Sequence, residues 1–207
     1  MRIWLSDAGK RFNRDWIFRH LTFSFETAHS YAITGPNGSG KSTLLQLIAG
    51  ALDPNEGKIG WMINEKKIDD GKTFEQISLC APYLELIEEM TAEEFLRFHR
   101  KFKPFLENLS ITEILSIIGL KQAAHKQIRY YSSGMKQRMK LAQAIFSDTP
   151  AVLLDEPCTN LDESGYDLYY SMIDQYCSKR LLIVSSNEKT EYKFCKERVE
   201  ITDFKQL

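Results

Sequence analysis

The sequence predicts an α/β fold that is β-rich at its start, helical from about residue 91 to 146, and alternating β and α at its end. Three features carry this prediction. Short β-like segments crowd the beginning of the chain. Two capping boxes, Thr91 with Glu94 and Ser110 with Glu113, open helical stretches in its middle. Near its end, wholly apolar runs such as AVLL, set between Pro150 and Asp155, have the character of strands covered on both faces of a parallel sheet.

The elements follow in order. Strands are expected at residues 3–6, 17–25 and 31–34, the last leading into glycines. Residues 41–49, KSTLLQLIA, are good helix formers stopped by Gly50 and Pro54. Strands at 58–63 and 76–80 flank a charged, loop-like stretch, NEKKIDDGKT. After Thr91, the side chains Phe95, Leu96 and Phe98 give one helix an apolar face, and ILSIIGL forms a second that ends at Gly119. Met135, Met139, Ala142, Ile145 and Phe146 mark an amphipathic helix after Ser132. A strand at 151–154, a helix at 168–177 and strands at 181–185 and 198–202 complete the chain. There is no repeat, low-complexity tract or flexible linker.

Composition narrows the function. A chain of 207 residues with 43% hydrophobic residues suits one globular unit. Its 27 basic and 28 acidic residues leave a net charge of −1, which argues against a dedicated nucleic-acid binder. No apolar run reaches the roughly 18 residues of a transmembrane helix. The charged start, MRIWLSDAGKRFNRDW, does not form a signal peptide, so a cytoplasmic address is expected. Cys80, Cys158, Cys177 and Cys195 form no CxxC pair and are expected to be reduced thiols.

Residues 35–42, Gly35-Pro36-Asn37-Gly38-Ser39-Gly40-Lys41-Ser42, match GxxxxGK[ST] between an expected strand and an expected helix. Glycines there allow positive φ and let successive N–H groups converge on phosphate oxygens. The helix opening at Lys41 adds its positive N-terminal end. Lys41 supplies a cation for the β- and γ-phosphates, and the Ser42 hydroxyl is placed for Mg²⁺. Thr43 follows within the same ATP-binding loop.

Asp155 and Glu156 stand at the C-terminal end of a buried strand, where ligands sit in open α/β sheets. Adjacent carboxylates face different ways and take different tasks. Asp155 is expected to hold Mg²⁺, directly or through water, and Glu156 to act as general base toward the attacking water. A bland alternative is an N-cap cluster at a strand-to-helix turn, which the upstream phosphate loop disfavours.

Taken together, the phosphate loop, the stretch Tyr131-Ser132-Ser133-Gly134-Met135-Lys136-Gln137-Arg138, and the run LLDEPCTNLD from Leu153 to Asp162 resemble the Walker A, signature, Walker B and D-loop motifs of the ABC ATPase family, in the same order. The resemblance spans nearly the whole chain and implies a P-loop NTPase of ABC ATPase type, with a mixed parallel core sheet, an antiparallel β subdomain contributed by the early strands and a helical subdomain at about residues 82–132. It divides a single cassette over residues 1–207 into a catalytic core with its β subdomain (1–81 and 150–207), the helical subdomain, and a signature helix at 133–149. It also implies a homodimer or heterodimer of cassettes, with ATP held between one subunit's Walker A and the other's Ser132, Ser133 and Gly134. Phe12 falls where the family often stacks an aromatic on adenine. A separate transmembrane permease subunit is implied too, placing the protein on the inner face of the cell membrane through that partner.

Two positions depart from the pattern. The glutamine of the family's Q-loop falls on Pro82, counting back from Thr91, and proline offers no side-chain oxygen; Gln76 lies upstream, expected within a strand, and Glu85 downstream. The switch histidine falls on Asn187, which can donate a hydrogen bond to phosphate but cannot become cationic. Its alternative role is to cap the next helix. Three functions follow: a transport ATPase with Glu156 as base, slowed by the loss of the glutamine and the histidine; an ATP-binding regulatory module with little hydrolysis; or a non-transport relative. The last is disfavoured, because too few positions separate Lys41 from Gly134 for the long coiled coil of the chromosome-maintenance relatives and there is one cassette only. The short C-terminus resembles that of compact exporter-type cassettes such as those of haem export. The transported substrate and its direction are not legible.

Overall fold

The computed structural model describes residues 1–107 and 109–205; the expected end of the core at residue 207 lies outside them. In chain order its elements are β1 (Arg2–Phe12), β2 (Asp15–Glu26), β3 (Ser30–Thr34), α1 (Lys41–Ile48), β4 (Glu56–Ile63), β5 (Lys66–Lys67), α2 (Thr73–Gln76) and β6 (Ile77–Cys80). They continue with α3 (Ala92–His99), α4 (Ile111–Ile117), α5 (Ser133–Ile145), β7 (Ala151–Asp155), α6 (Glu163–Cys177), β8 (Leu181–Ser185) and β9 (Glu197–Glu200), with short 3₁₀ turns between them.

Parallel and antiparallel pairings fall in separate sheets. One sheet, ordered β2-β1-β4-β5, is antiparallel throughout, and the other, ordered β6-β7-β8-β3-β9, is parallel throughout. The unbroken apolar runs of β7 and β8 are explained by what lies on each face. Val152, Leu154, Leu182 and Val184 pack into a core shared with α3, α4, α5 and α6, whereas Ala151, Leu153, Leu181 and Ile183 pack into a second core with α1 and the antiparallel sheet. Successive strand residues point to opposite faces, so a strand covered twice cannot alternate with polar residues. Each fully buried leucine contributes roughly 1.5–3 kcal/mol, and a carboxylate at Leu153 would break the sheet.

Both capping boxes form. Thr91 Oγ1 accepts the Glu94 N–H at 3.3 Å while a Glu94 oxygen accepts the Thr91 N–H at 2.9 Å, and Ser110 and Glu113 repeat the exchange. The far end of α5 is anchored by the buried guanidinium of Arg180, which donates to the carbonyls of Ile145, Ser147 and Thr149 at 2.6–2.8 Å. That anchor fixes the helix whose other end carries Ser132.

Several elements differ from the sequence expectation. β1 and β2 run through register shifts between Leu5 and Arg11, so their bulges interrupt the alternation while leaving the strands long. Gln76 ends α2 rather than lying in a strand. α6 starts at Glu163, with Asp162 capping the Gly165 N–H at 2.9 Å, a start that Gly165 and the flanking charges conceal. The last strand stops at Glu200, and a 3₁₀ turn, Ile201–Phe204, follows it.

Candidate nucleotide site

The phosphate loop connects β3 to α1, and its geometry follows from its glycines. Gly40 is the N-cap of α1 at φ 106°, in the left-handed region, and a Cβ there would lie 2.1 Å from Ile17 Cγ2. The Gly40 position supplies no side-chain cap, which leaves the first amides of α1 without that partner. The Lys41 ammonium bends back over the loop, donating to the carbonyls of Gly35 at 2.8 Å and Pro36 at 3.2 Å. Residues 37–43, Ile17 and Glu156 line a cavity of about 260 Å³. Ser39 lines it as well, and its buried hydroxyl has no hydrogen-bond partner among the described residues.

Asp155 ends β7 and is buried beside this cavity, 1% exposed. Ser185 Oγ donates to Asp155 Oδ1 at 2.6 Å, and Ser42 bonds the same carboxyl. Burial pushes the Asp155 carboxyl above its ordinary range, while the hydrogen bonds from Ser185 and Ser42 and the Lys41 cation pull it back down. A serine hydroxyl meeting a carboxylate is a hard-oxygen donor set, which fits Mg²⁺ held jointly with substrate phosphates. Glu156 turns the chain sharply, its φ of 45° being rare for any residue with a side chain. Its N–H donates to the Ser185 carbonyl at 2.9 Å, and the residue lines the cavity.

Asn187 reaches the same loop from β8. Its Nδ2 donates to Asn37 Oδ1 at 3.2 Å, so it borders the phosphate loop. The capping alternative fails, because the N-cap of the following 3₁₀ turn is Glu188 and no side chain caps it.

Ser132, Ser133 and Gly134 lie elsewhere. Ser132 caps α5, its Oγ accepting the Met135 N–H at 3.2 Å. Gly134 lets the loop after β7 come close, since a Cβ there would be 3.1 Å from the Asn160 carbonyl. These three residues line a cavity with Arg138, Asn160 and Asp162 that shares no lining residue with the cavity at Lys41. The structure therefore brings Lys41, Ser42, Asp155, Glu156 and Asn187 together and holds the serines of α5 apart from them.

Phe12 is not among the residues lining the phosphate-loop cavity. It ends β1, half-exposed, with the Lys10 ammonium 5.5 Å from its ring centre. Ile17, expected only as the start of a strand, packs against Gly40 instead. Pro82 presents only its carbonyl, which accepts from Lys140 Nζ at 2.8 Å. Glu85 lines a different cavity with Glu88 and Lys136. Next to Pro82, the Tyr83 phenol bonds the Gln46 side chain and has Asp155 among its charged neighbours; burial raises it above the ordinary tyrosine range. Gln46 lies four residues after Ser42, one turn along the same helix face, and that spacing is the signal that would have found it.

A family model described as ABC transporter matches residues 18–159. The cytochrome c biogenesis ATP-binding export protein CcmA of Rhizobium meliloti is 30% identical over 197 residues, covering 91% of this chain and 92% of that protein. The Bacillus subtilis ABC transporter ATP-binding protein YxlF is 39% identical over 150 residues, 71% of this chain; the match spans about half of that relative's length, 49%. The dimeric structure of MJ0796, a bacterial ABC transporter cassette, superposes with a TM-score of 0.80 at 20% identity, covering 96% of this chain and 94% of that one, and so shares the fold.

Proposed function

The chain belongs to the ABC transporter family as an ATP-binding protein, and from that premise we propose that it hydrolyses MgATP between two cassettes to drive transport through separate membrane subunits. The observation that carries this reading is the division of the site. The residues that would bind phosphate, hold a cation and activate water converge on one cavity, while Ser132, Ser133 and Gly134 line another. A second cassette, identical or different, supplies what each cavity lacks.

In this scheme residues 35–43 wrap the phosphates of ATP with backbone N–H groups, and Lys41 turns from the Gly35 and Pro36 carbonyls toward the β- and γ-phosphates. Ser42 and Asp155 would hold Mg²⁺, which when bound neutralises charge between the phosphates. Glu156 takes a proton from the water that attacks the γ-phosphorus, as the bond to the ADP oxygen breaks. The Ser132 hydroxyl and the first amides of α5 from the partner face the same γ-phosphate. Asn187 donates a neutral hydrogen bond in place of a charged one, which is about half as strong, so turnover is slow. Phe12 stacks on adenine once the β1–β2 turn closes on nucleotide. The match to CcmA, an export protein by its name, favours export over import. Among the described residues no helix is long and apolar enough to cross a membrane, which fits attachment to the cytoplasmic face through a permease.

A second reading, in which bound ATP regulates a partner with little turnover, draws on Pro82 and Asn187. Purified protein, with its membrane partner present, separates the two. Steady ATP hydrolysis that Glu156→Gln abolishes, with the variant trapped as an ATP-bound dimer, supports the transport ATPase; an inert parent that still dimerises on ATP supports regulation.

A further inference from the structure

Two carboxyls are buried among the described residues, Asp155 and Glu191, and the scheme above uses only the first. Glu191 lies on the 3₁₀ turn Lys189–Tyr192, four residues past Asn187, and is 3% exposed. Its Oε1 accepts the Cys158 N–H at 2.9 Å, and its Oε2 is buried with no hydrogen-bond partner among the described residues. Its backbone is fixed on both sides. The Glu191 N–H donates to the Glu188 carbonyl at 2.9 Å, and the Glu191 carbonyl accepts the hydroxyl of fully buried Tyr169 at 2.9 Å.

The amide it holds is a significant one. Glu156 sits at φ 45°, a conformation that persists only where the surroundings enforce it. Pro157 has no N–H, so the Cys158 amide is the first after Glu156 by which the turn can be tied down. On the opposite side, Gln137 Nε2 donates to the Pro157 carbonyl at 2.7 Å. Glu191 also has Ser186 and Glu156 beside it; burial raises its carboxyl, the neighbouring Ser186 hydroxyl and the bond from the Cys158 amide oppose the rise, and the negative charge of Glu156 reinforces it. Ser186 precedes Asn187 directly, and its Oγ accepts the Glu188 N–H at 2.9 Å.

We propose that Glu191 is a positioning residue for hydrolysis: by bonding the Cys158 amide while packing beside Ser186, it fixes the strained turn that aims Glu156 and keeps it in register with the loop that carries Asn187. The proposal rests on the hydrolytic reading above and on the side-chain geometry described here.

The test compares the parent protein, assayed with its membrane partner, with Glu191→Ala and Glu191→Gln, measuring kcat and KM for ATP, ATP affinity, and amide hydrogen exchange over residues 155–162. In Glu191→Ala, kcat falls roughly tenfold to a hundredfold, KM and ATP affinity stay within about twofold, and exchange in the turn accelerates. Glu191→Gln retains an acceptor for the Cys158 amide and stays within about threefold of the parent in kcat, with unchanged exchange. The proposal is overturned if Glu191→Ala keeps its turnover, or if kcat and ATP affinity fall together and the glutamine gives no rescue. Should the alanine variant fail to fold, Glu191→Asp replaces it; the shorter side chain lowers kcat with ATP affinity retained, and an unchanged kcat overturns the proposal. With the membrane partner present, a parent without ATPase activity refutes the hydrolytic reading, and hydrogen exchange then decides only whether Glu191 fixes the turn: faster exchange in the turn of Glu191→Ala sustains that, and unchanged exchange removes it.

Discussion

The starts of α1 and α5 are built on the same device and finished differently. Both are helix N-termini approached through small residues, and both offer amides to an anion. α1 begins at Gly40 with no side-chain cap, whereas α5 begins at Ser132, whose hydroxyl accepts one of the helix's own amides. Around α1 stand Lys41, Asp155 and Glu156; the charged residues that line the cavity at Ser132 are Arg138 and Asp162, engaged with each other at 3.5 Å. An uncapped start leaves its donors for a triphosphate. A capped start is satisfied by itself and keeps one mobile donor, the serine O–H, for a ligand that arrives later. In the proposed scheme this contrast gives binding and chemistry to α1 and recognition to α5.

That assignment can be broken at several points. The largest effect is expected from Glu156→Gln, which removes the base and lowers turnover by roughly 10²- to 10⁴-fold while ATP affinity is kept; steady-state kinetics beside equilibrium nucleotide binding checks both parts. At the other helix, Ser132→Ala is expected to lower turnover by about tenfold with unchanged ATP binding to the single cassette, and to reduce stability by about 1 kcal/mol through loss of the cap. If ATP binding to the single cassette weakened instead, the division between the helices would be wrong. Asn187→His sharpens the comparison from the α1 side, since a cationic donor in place of the amide is expected to raise turnover severalfold below about pH 6.5 and to lose that gain above it.

The smallest effect lies outside both helix starts. His99 meets Ser147 Oγ at 2.8 Å and stacks on Phe105, and burial, aided by the Lys103 cation, holds it down at about 4. A depressed imidazole keeps the native state neutral while the unfolded chain takes up a proton below about pH 6.5, so the unfolded state binds more protons across the window from 6.5 to 4. Stability is therefore full above pH 6.5 and erodes as pH falls through that window. His99→Gln is expected to flatten the decline by a few degrees of Tm at pH 5, measured by thermal melts, with no change in turnover at pH 7.5.

Local chemistry was legible in the sequence wherever it was declared by neighbours in the chain. The phosphate loop, the Asp155–Glu156 pair and the capping boxes at Thr91 and Ser110 each combine residue types whose physics works at short range. What escaped is brought together by the fold. Glu191 sits in SNEKTEYK, which reads as a solvated turn, yet the packing of α6 against that turn buries it. Ile17 is an apolar residue in a strand with no mark of its closeness to Gly40. Tyr83 and Gln46 meet only because β6 lies beside β7 and α1 packs beneath them. The early start of α6 was hidden by Gly165, which helix propensity penalises and which lies against Leu161.

The order of strands in the parallel sheet also governs when the protein can come into being. β3, which launches the phosphate loop, pairs with β8 and β9, its two flanking strands in that sheet. A ribosome adding roughly 5–20 residues per second releases these partners on the order of ten seconds after β3 itself. During that interval Tyr31, Ala32 and Ile33, all buried in the finished sheet, have no strand to pair with. The nucleotide loop is thus among the first parts of the chain to be made and among the last that can be set in place, and the nascent protein must shelter an apolar strand until its C-terminal partners emerge.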